Sequence, residues 1–240
     1  MRLLSVPEFV NRKQKNKIAV FGSGYSINNI TPDMWGVIED GFDTIAFNWF
    51  CKLLRPTTWY VVREQCTTPK RIEPGHDLES FVDLMKHQKS ATKIVKDMSY
   101  RKDNYQWARN HTLFDGEGFI FKEQAGGCSA KSFRDDVFED GIHHGKSSIY
   151  DVLHFCIGMK YEEILFCGID LYDNRHFYLG QDEPTECLIK DKMSVHAPHK
   201  TLEKTLAIIS SIKEVFDIKM TVLNPRSLLT KIIPVWQGEK

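Results

Sequence analysis

A glycine-rich turn follows the first strongly apolar run of this sequence. The run KIAVF covers residues 17–21, and Gly22 and Gly24 come directly after it, with Ser23 and Ser26 in the same turn. Two glycines let a backbone approach an anion closely, and the serines add hydroxyl donors. The turn lacks the third glycine of a dinucleotide fingerprint and the Lys-Ser/Thr pair of a P-loop. It therefore indicates an anion site without specifying its class.

Two later apolar runs end in short polar side chains. DTIAFN ends at Asn48 and EEILFCGID ends at Asp170, after which Tyr172 and Tyr178 lie six positions apart. Such side chains at strand ends can contact a base or a ribose, and they can equally cap a turn. Because tyrosines are common in polar loops, the pair acquires a chemical role only if the surrounding elements form a ligand site.

Two histidines, His196 and His199, precede a long segment with helical apolar spacing. A histidine that titrates near neutrality suits a general base. Zinc is a competing interpretation, since Cys187 and these histidines supply three ligands and Asp182 or His176 supplies a fourth. Their spacing matches no standard zinc module, and both histidines can also be ordinary surface residues. The residues alone leave the three interpretations open.

The segments that carry these residues alternate between predicted strands and helices. Apolar runs at 17–21, 43–49 and 57–62 predict strands, and Thr31 followed by Pro32 predicts the start of a short helix between the first two. This order is typical of a parallel sheet with right-handed crossovers. We predict an α/β fold, a Rossmann-like parallel sheet with helices on both faces.

The C-terminal half follows the same order. Ser148, with Asp151 three residues later, predicts a capping box at the start of a helix, and an amphipathic helix is predicted from His199 onwards. The remaining predicted elements are strands at 162–170 and 218–223 and a short helix with Asn224 as N-cap and Pro225 as first residue.

The middle of the chain has a weaker pattern. Residues 76–98 predict one helix, or two with a break near Lys89, and beyond them only the run at 118–121 is strand-like. Long irregular segments in compact domains are often functional. We therefore predict one α/β domain from residues 1–84 and 145–240 and a smaller lid from residues 85–144.

The composition excludes several classes of protein. The chain has 240 residues, of which 42% are hydrophobic, and its 32 basic and 32 acidic side chains cancel, so we expect a globular protein that does not bind nucleic acid. Its 6 cysteines without a CxxC pair, and no secretory leader, predict a reducing, cytoplasmic location. No apolar run of about twenty residues exists. The basic stretch at 10–17 and the apolar stretch at 228–236 leave peripheral contact with an anionic bilayer open.

Four stretches together resemble the bacterial lipo-oligosaccharide sialyltransferases, glycosyltransferases that use a CMP-activated sugar acid. The stretches are GSGYSINNI, FDTIAFNWF, SSIYDVLHFCIGMKYEEILFCGIDLYDNRHFY and TVLNPRSLLTKII. That family has a glycine turn after its first strand, an asparagine at the end of its second, and a Gly-Ile-Asp strand end followed by two tyrosines six residues apart. The resemblance covers residues 17–50 and 145–233, and it implies a GT-A-like variant of the predicted fold.

The resemblance implies a binding site for the CMP-sugar donor. Ser23 stands where the family usually has asparagine, so one phosphate or ribose contact differs here. The implied donor-binding residues are Gly22, Ser23 and Gly24 at the phosphate, with Ser26 in the same turn, Asn48 at the nucleotide, Ser147 and Ser148 at the ribose or sugar acid, and Gly168, Ile169 and Asp170 at the cytidine.

The resemblance also implies the catalytic groups. Tyr172 and Tyr178 would donate hydrogen bonds to the departing phosphate oxygens, where negative charge grows during transfer. The family places its catalytic histidine before the long helix, where this chain has His196, which we favour, and His199. The expected reaction is an inverting transfer to the hydroxyl of a glycan or glycolipid, without a required metal or other cofactor.

Two other functions remain open at this point. A pterin-type pyrophosphokinase would need Mg²⁺ and carboxylate ligands, for which the candidates are Asp170 and Asp173. The second alternative is a nucleotide-binding protein that keeps the same fold but does not catalyse the reaction. Residues 85–144 are expected to choose the acceptor, and assembly into a homo-oligomer is left open.

Overall fold

The computed structural model describes residues 1–62, 78–97, 114–124, 133–143, 147–172, 175–178 and 198–238. The strands are β1 Arg2–Leu3, β2 Lys17–Phe21, β3 Asp43–Phe47, β4 Trp59–Val62, β5 Thr92–Asp97, β6 Glu117–Gln124, β7 Ile142–His143, β8 Glu163–Cys167 and β9 Lys219–Val222. The α-helices are α1 Val6–Val10, α2 Pro32–Gly41, α3 Leu78–Met85, α4 Val137–Asp140, α5 Ser148–Gly158 and α6 Pro198–Phe216. Short 3-10 helices lie at Tyr25–Asn29, Asn48–Leu53, Lys86–Gln88 and Leu228–Lys231.

These strands form one parallel sheet in the order β1-β6-β5-β4-β3-β2-β8-β9, with β7 beside β6. One hydrophobic cluster covers one face with side chains of α1, α5 and α6, and a second covers the other face with side chains of α2 and α3. The predicted α/β fold, with helices on both faces, is confirmed. From β2 the chain runs outwards through β3 and β4, and later returns to the other side of β2 through β8.

Helix α2 begins where the sequence predicts. Pro32 is its first residue, and the backbone N–H of Met34 donates to the hydroxyl of Thr31. Helix α5 begins differently, because Ser147 is its N-cap and Ser148 its first helical residue. The predicted capping box is wrong: the Asp151 carboxylate accepts a hydrogen bond from the Lys96 amine instead.

The second half of the segment 76–98 was predicted to be helical, and this prediction is wrong. Residues Thr92–Asp97 form β5, which pairs with β4 and with β6, and Ile94 and Val95 are buried in the sheet. Since β5 and β6 belong to the main sheet, this part of the range 85–144 is not a separate lid. A role of the range in acceptor choice stays a prediction.

A buried cluster of charges joins the sheet to helix α5. The Lys96 amine lies 2.9 Å from a carboxylate oxygen of Glu123 and 3.0 Å from one of Asp151, and each of the three side chains is 1% exposed. Desolvated charges are costly unless they are paired. The cluster therefore links β5 and β6 to the first turn of α5.

The terminal stretches considered for bilayer contact pack on the protein itself. The Lys13 amine donates to the carbonyls of Met159 and Lys160 just beyond α5. The Lys15 amine donates to the Glu39 carbonyl in the last turn of α2. Leu229 is fully buried. These three side chains contact the fold, and peripheral attachment stays a prediction. Within the described ranges, no helix has the length and apolarity to cross a bilayer.

Candidate functional site

The site predicted from the sequence lies where β2 and β8 end side by side. In an open parallel sheet, the loops beyond neighbouring strands separate at the point where the strand order reverses, and ligands bind in the resulting crevice. Here the order reverses at β2, because β3 follows it on one side and β8 lies on the other. The glycine turn and the Gly168–Asp170 segment leave the sheet at this point.

The glycine turn packs against the end of β8. The backbone N–H of Gly22 donates to the Cys167 carbonyl at 2.8 Å, and that of Gly24 donates to the Gly168 carbonyl at 2.9 Å. A Cβ on Gly22 would lie 2.5 Å from the Gly168 oxygen, and one on Gly24 would lie 2.6 Å from an Asp170 carboxylate oxygen. The two glycines are therefore required by this packing, and their amides already have acceptors in the protein.

We expect Gly24→Ala to destabilise the protein by about 1–3 kcal/mol, because the added methyl group overpacks against the Gly168 carbonyl just beyond β8 and against the Asp170 carboxylate. Urea unfolding measures the change. Gly36→Ala is the control, since a Cβ there meets nothing within 4 Å, and a helical alanine should stabilise by roughly 0.5–1 kcal/mol. Equal stability of the two variants would contradict the packing argument.

Asp170 holds three loops together at this edge. Its carboxylate, only 4% exposed, accepts hydrogen bonds from the backbone N–H of Ser26 at 2.9 Å, from the Ser26 hydroxyl, and from the Asn224 amide at 2.8 Å. A carboxylate has about four lone-pair sites, so these donors occupy all but one. Asp170 thus positions the loops after β2, β8 and β9, and a cytidine contact stays a prediction.

Asn224 is a site residue that the sequence analysis assigned to another task. The predicted final helix does not begin at Asn224 or Pro225, because the 3-10 helix Leu228–Lys231 has Ser227 as its N-cap. The Asn224 side chain instead donates to Asp170 and accepts from the backbone N–H of Arg226. The amide oxygen thus makes a local turn contact while the amide nitrogen makes a tertiary one, and the tertiary contact is the one that the sequence did not indicate.

Asn48 and Ser148 meet on the other side of the crevice. The Ser148 hydroxyl lies 3.4 Å from the Asn48 amide oxygen, and Ser148 is buried. Asn48 has φ 54°, a left-handed conformation that asparagine adopts more readily than most residues. Ser147, as the N-cap of α5, lies where unpaired backbone N–H groups attract anions. The structure therefore brings Asn48, predicted at the nucleotide, next to the serines predicted at the ribose or sugar acid.

The segment after Gly168 has an unusual backbone. Gly168 has φ 65°, and a Cβ there would lie 2.6 Å from an Ile27 side-chain carbon, so glycine is required. Leu171 has φ 63°, which is strained for a branched side chain. Ile169 is buried, and its carbonyl accepts from the Ser227 hydroxyl at 2.6 Å. Strain of this kind is frequent at ligand sites, and here it directs the chain from Asp170 to Tyr172.

The two tyrosines contact opposite sides of the crevice. The Tyr172 hydroxyl lies 3.4 Å from the Asn224 amide nitrogen, beyond the end of β9. The Tyr178 ring has the Lys52 amine 5.0 Å from its centroid, beyond the end of β3. Because β2 and β8 lie between β3 and β9, the tyrosines flank the position predicted for the phosphate. Both are half-buried.

His176 had no role in the preferred sequence interpretation, yet it lies on the glycine turn. Its Nδ1 is 3.1 Å from the Ser23 hydroxyl, and it forms an antiparallel bridge with Gly24. Its ring stacks parallel to that of Tyr178, with 5.2 Å between centroids. Phe177 donates its backbone N–H to the Ser23 carbonyl. Residues 175–178 therefore run across the turn, which no local sequence signal indicated.

The general base and the zinc ligands fall largely outside the described residues. His196, Cys187, Asp182 and Asp173 are not among them, and His199 is described only as part of the backbone of α6. Across the ranges that the structure covers, no group of three or more His, Cys, Asp and Glu side chains could hold a metal ion. The catalytic role of either histidine stays a prediction.

The sheet order and the crevice define a Rossmann-like α/β protein. No protein-family model and no curated protein matches the chain. Among solved structures, a variant of the sialyltransferase CstII in complex with CMP has a TM-score of 0.53 at 15% identity, covering 94% of this chain and 87% of that chain. CstII in complex with a trisaccharide acceptor and CMP has a TM-score of 0.50 at 16% identity, covering 92% and 86%.

Monomeric CstII gives a TM-score of 0.50 at 16% identity, covering 93% of this chain and 89% of that chain. CstII comes from Campylobacter jejuni. At such identities the similarity concerns the fold. The resemblance in fold that the sequence predicted is therefore confirmed, and it extends through the middle of the chain, where the sequence motifs showed none.

Proposed function

We propose that this protein is a glycosyltransferase that transfers sialic acid or a related acid sugar from a CMP-activated donor to a glycan hydroxyl. The observation that carries the proposal is the crevice at β2 and β8. There the glycine turn, the Asn48–Ser148 pair and the Tyr172 and Tyr178 rings converge in a fold shared with a CMP-bound sialyltransferase.

The proposed reaction is an inverting displacement at the anomeric carbon of the sugar. The acceptor hydroxyl loses its proton to His196 and its oxygen forms a bond to the anomeric carbon, while the bond from that carbon to the phosphate oxygen breaks and CMP leaves with the bonding electron pair. Tyr172 and Tyr178 donate hydrogen bonds to the phosphate as its charge grows. Phenols supply this stabilisation without a metal.

The geometry favours this reaction over a pyrophosphokinase. Of the two candidate Mg²⁺ ligands, Asp170 is within the described residues, and its carboxylate already binds the loops after β2 and β9. Coordination of a metal needs free carboxylate oxygens. We therefore expect Asp170 to keep its structural contacts during catalysis.

Calorimetry in the presence of EDTA tests the proposal against its alternatives. We expect CMP to bind without a divalent cation and ATP to bind far more weakly. ATP with a pterin and Mg²⁺ should yield no AMP. Tight ATP binding that requires Mg²⁺, together with AMP formation, would support a pyrophosphokinase and contradict the proposal.

The two histidines should differ in their effects on turnover. We expect His196→Ala to lower kcat by about 10²- to 10⁴-fold, the usual contribution of a general base, with little change in the affinity for CMP. His199→Ala serves as the matched variant and should retain most of the activity. Steady-state kinetics measures both. The reverse order of effects would assign the base to His199.

A further inference from the structure

Lys52 lies beside the proposed donor site in an unusual environment. It belongs to the 3-10 helix that follows β3, in which Asn48 is the first residue. Its amine is 5.2 Å from the centroid of the Trp49 ring and 5.0 Å from that of Tyr178. The side chain is half-buried. Two rings from separate segments therefore hold this cation at the edge of the crevice.

Three other lysines that are removed from solvent contact oxygen atoms. Lys96 contacts two carboxylates, Lys93 donates to three backbone carbonyls, and Lys13 donates to two. Within the part of the chain that the structure describes, the contacts of Lys52 are aromatic rings, and no carboxylate pairs with it. Lys52 thus differs from these lysines in having its charge directed towards rings alone.

Aromatic rings attract an ammonium group, but they do not accept hydrogen bonds from its N–H groups as an oxygen atom does. The three donors of the Lys52 amine therefore stay available for an anion, and an ammonium group binds a phosphate or carboxylate through charge-assisted hydrogen bonds. An anion on this amine would also lie beside the Tyr178 ring, which shares the contact.

We propose that Lys52 recognises an acidic oxygen of the donor, either on the phosphate of CMP or on the carboxylate of the sugar acid. This inference rests on the proposed function and adds to it a residue that discriminates anionic donors from neutral ones. Lys52 carries no signal in the sequence, because the contact with Tyr178 joins positions far apart in the chain.

Calorimetry with cytidine, CMP and CMP-sialic acid tests the assignment. Lys52→Met keeps the aliphatic stem and removes the charge, so we expect it to weaken binding of one or both anionic ligands by roughly tenfold to a hundredfold. Cytidine should bind as it does to the unaltered protein. Lys52→Arg should restore most of the affinity, and the loss should shrink as the salt concentration rises.

Matched variants separate the outcomes. Lys89→Met removes an exposed lysine just before β5, at the opposite end of the strands, and should bind like the unaltered protein. Lys52→Gln is a second neutral variant, and thermal unfolding shows whether either one is folded. A loss for CMP places Lys52 at the phosphate, whereas a loss for CMP-sialic acid alone places it at the carboxylate.

Unchanged affinities in folded Lys52→Met and Lys52→Gln would overturn the assignment while leaving the proposed function intact. Failure of the unaltered protein to bind any cytidine nucleotide would instead contradict the proposed function, and the role of Lys52 would fall with it.

Discussion

Replacing Tyr172 and Tyr178 by phenylalanine is expected to reduce kcat of the proposed transfer severely. A preorganised donor at a site of developing charge contributes about 10²- to 10³-fold, so each single variant should lose that much. The ring contacts survive the substitution, because Lys52 and His176 contact the Tyr178 ring and Arg226 lies 5.4 Å from the centroid of the Tyr172 ring. Affinity for CMP should therefore change far less than turnover.

Steady-state kinetics and calorimetry on the same preparations measure the two effects. Tyr150→Phe is the control, because its hydroxyl is buried 3.0 Å from that of Thr205, within the fold and outside the crevice. That variant should lose some stability and keep its turnover number. Parallel losses of kcat and CMP affinity in the Tyr172 and Tyr178 variants would show that the pair only shapes the pocket.

Lys96→Met is expected to destabilise the protein by about 3–5 kcal/mol, because it leaves the buried carboxylates of Glu123 and Asp151 without the cation that both contact. Much of the cost is the desolvation of those charges. The variant that also carries Glu123→Gln and Asp151→Asn removes the charges and should recover a large part of the stability. Chemical denaturation measures all three forms.

The surface pair of Lys86 and Asp83 supplies the comparison. Both side chains are exposed, and an ion pair in solvent adds little to stability. Lys86→Met should therefore unfold at the same denaturant concentration as the unaltered protein. If Lys96→Met also unfolded at an unchanged denaturant concentration, the buried cluster would have no part in holding β5 and β6 against α5.

Local patterns predicted the frame of the fold well. The runs at β2, β3, β4, β8 and β9 are short and apolar, and α2 and α6 have helical spacing, so each element is visible in its own residues. Their order predicts a parallel sheet by general rules of connection. The position of the crevice follows from that order, which is why the predicted site residues at the ends of β2 and β8 lie at this edge of the sheet.

Strand β5 was missed for a tertiary reason. Ile94 and Val95 are flanked by Lys93 and Lys96, a pattern that does not look like a buried strand. Lys93 can be buried because its amine donates to backbone carbonyls, and Lys96 because its amine pairs with carboxylates that are distant in the sequence. Neither partner set is visible locally, so the pattern was interpreted as helical.

The site residues show the same division. Asn48, Asp170 and Ser148 could be proposed from the sequence because they follow strands or begin a helix. His176 and Lys52 were not, because their contacts with Ser23 and Tyr178 form only when separate loops meet. Residues placed by such contacts can be identified only from the structure.

The release of CMP from CMP-sialic acid tests the central claim most directly, because it requires donor recognition and leaving-group stabilisation but no knowledge of the acceptor. We predict slow release of CMP without any acceptor and in the presence of EDTA, and a large decrease with Tyr172→Phe and Tyr178→Phe combined. The account would be contradicted if folded protein released no CMP, over long incubation, from CMP-sialic acid or from any related CMP-activated acid sugar.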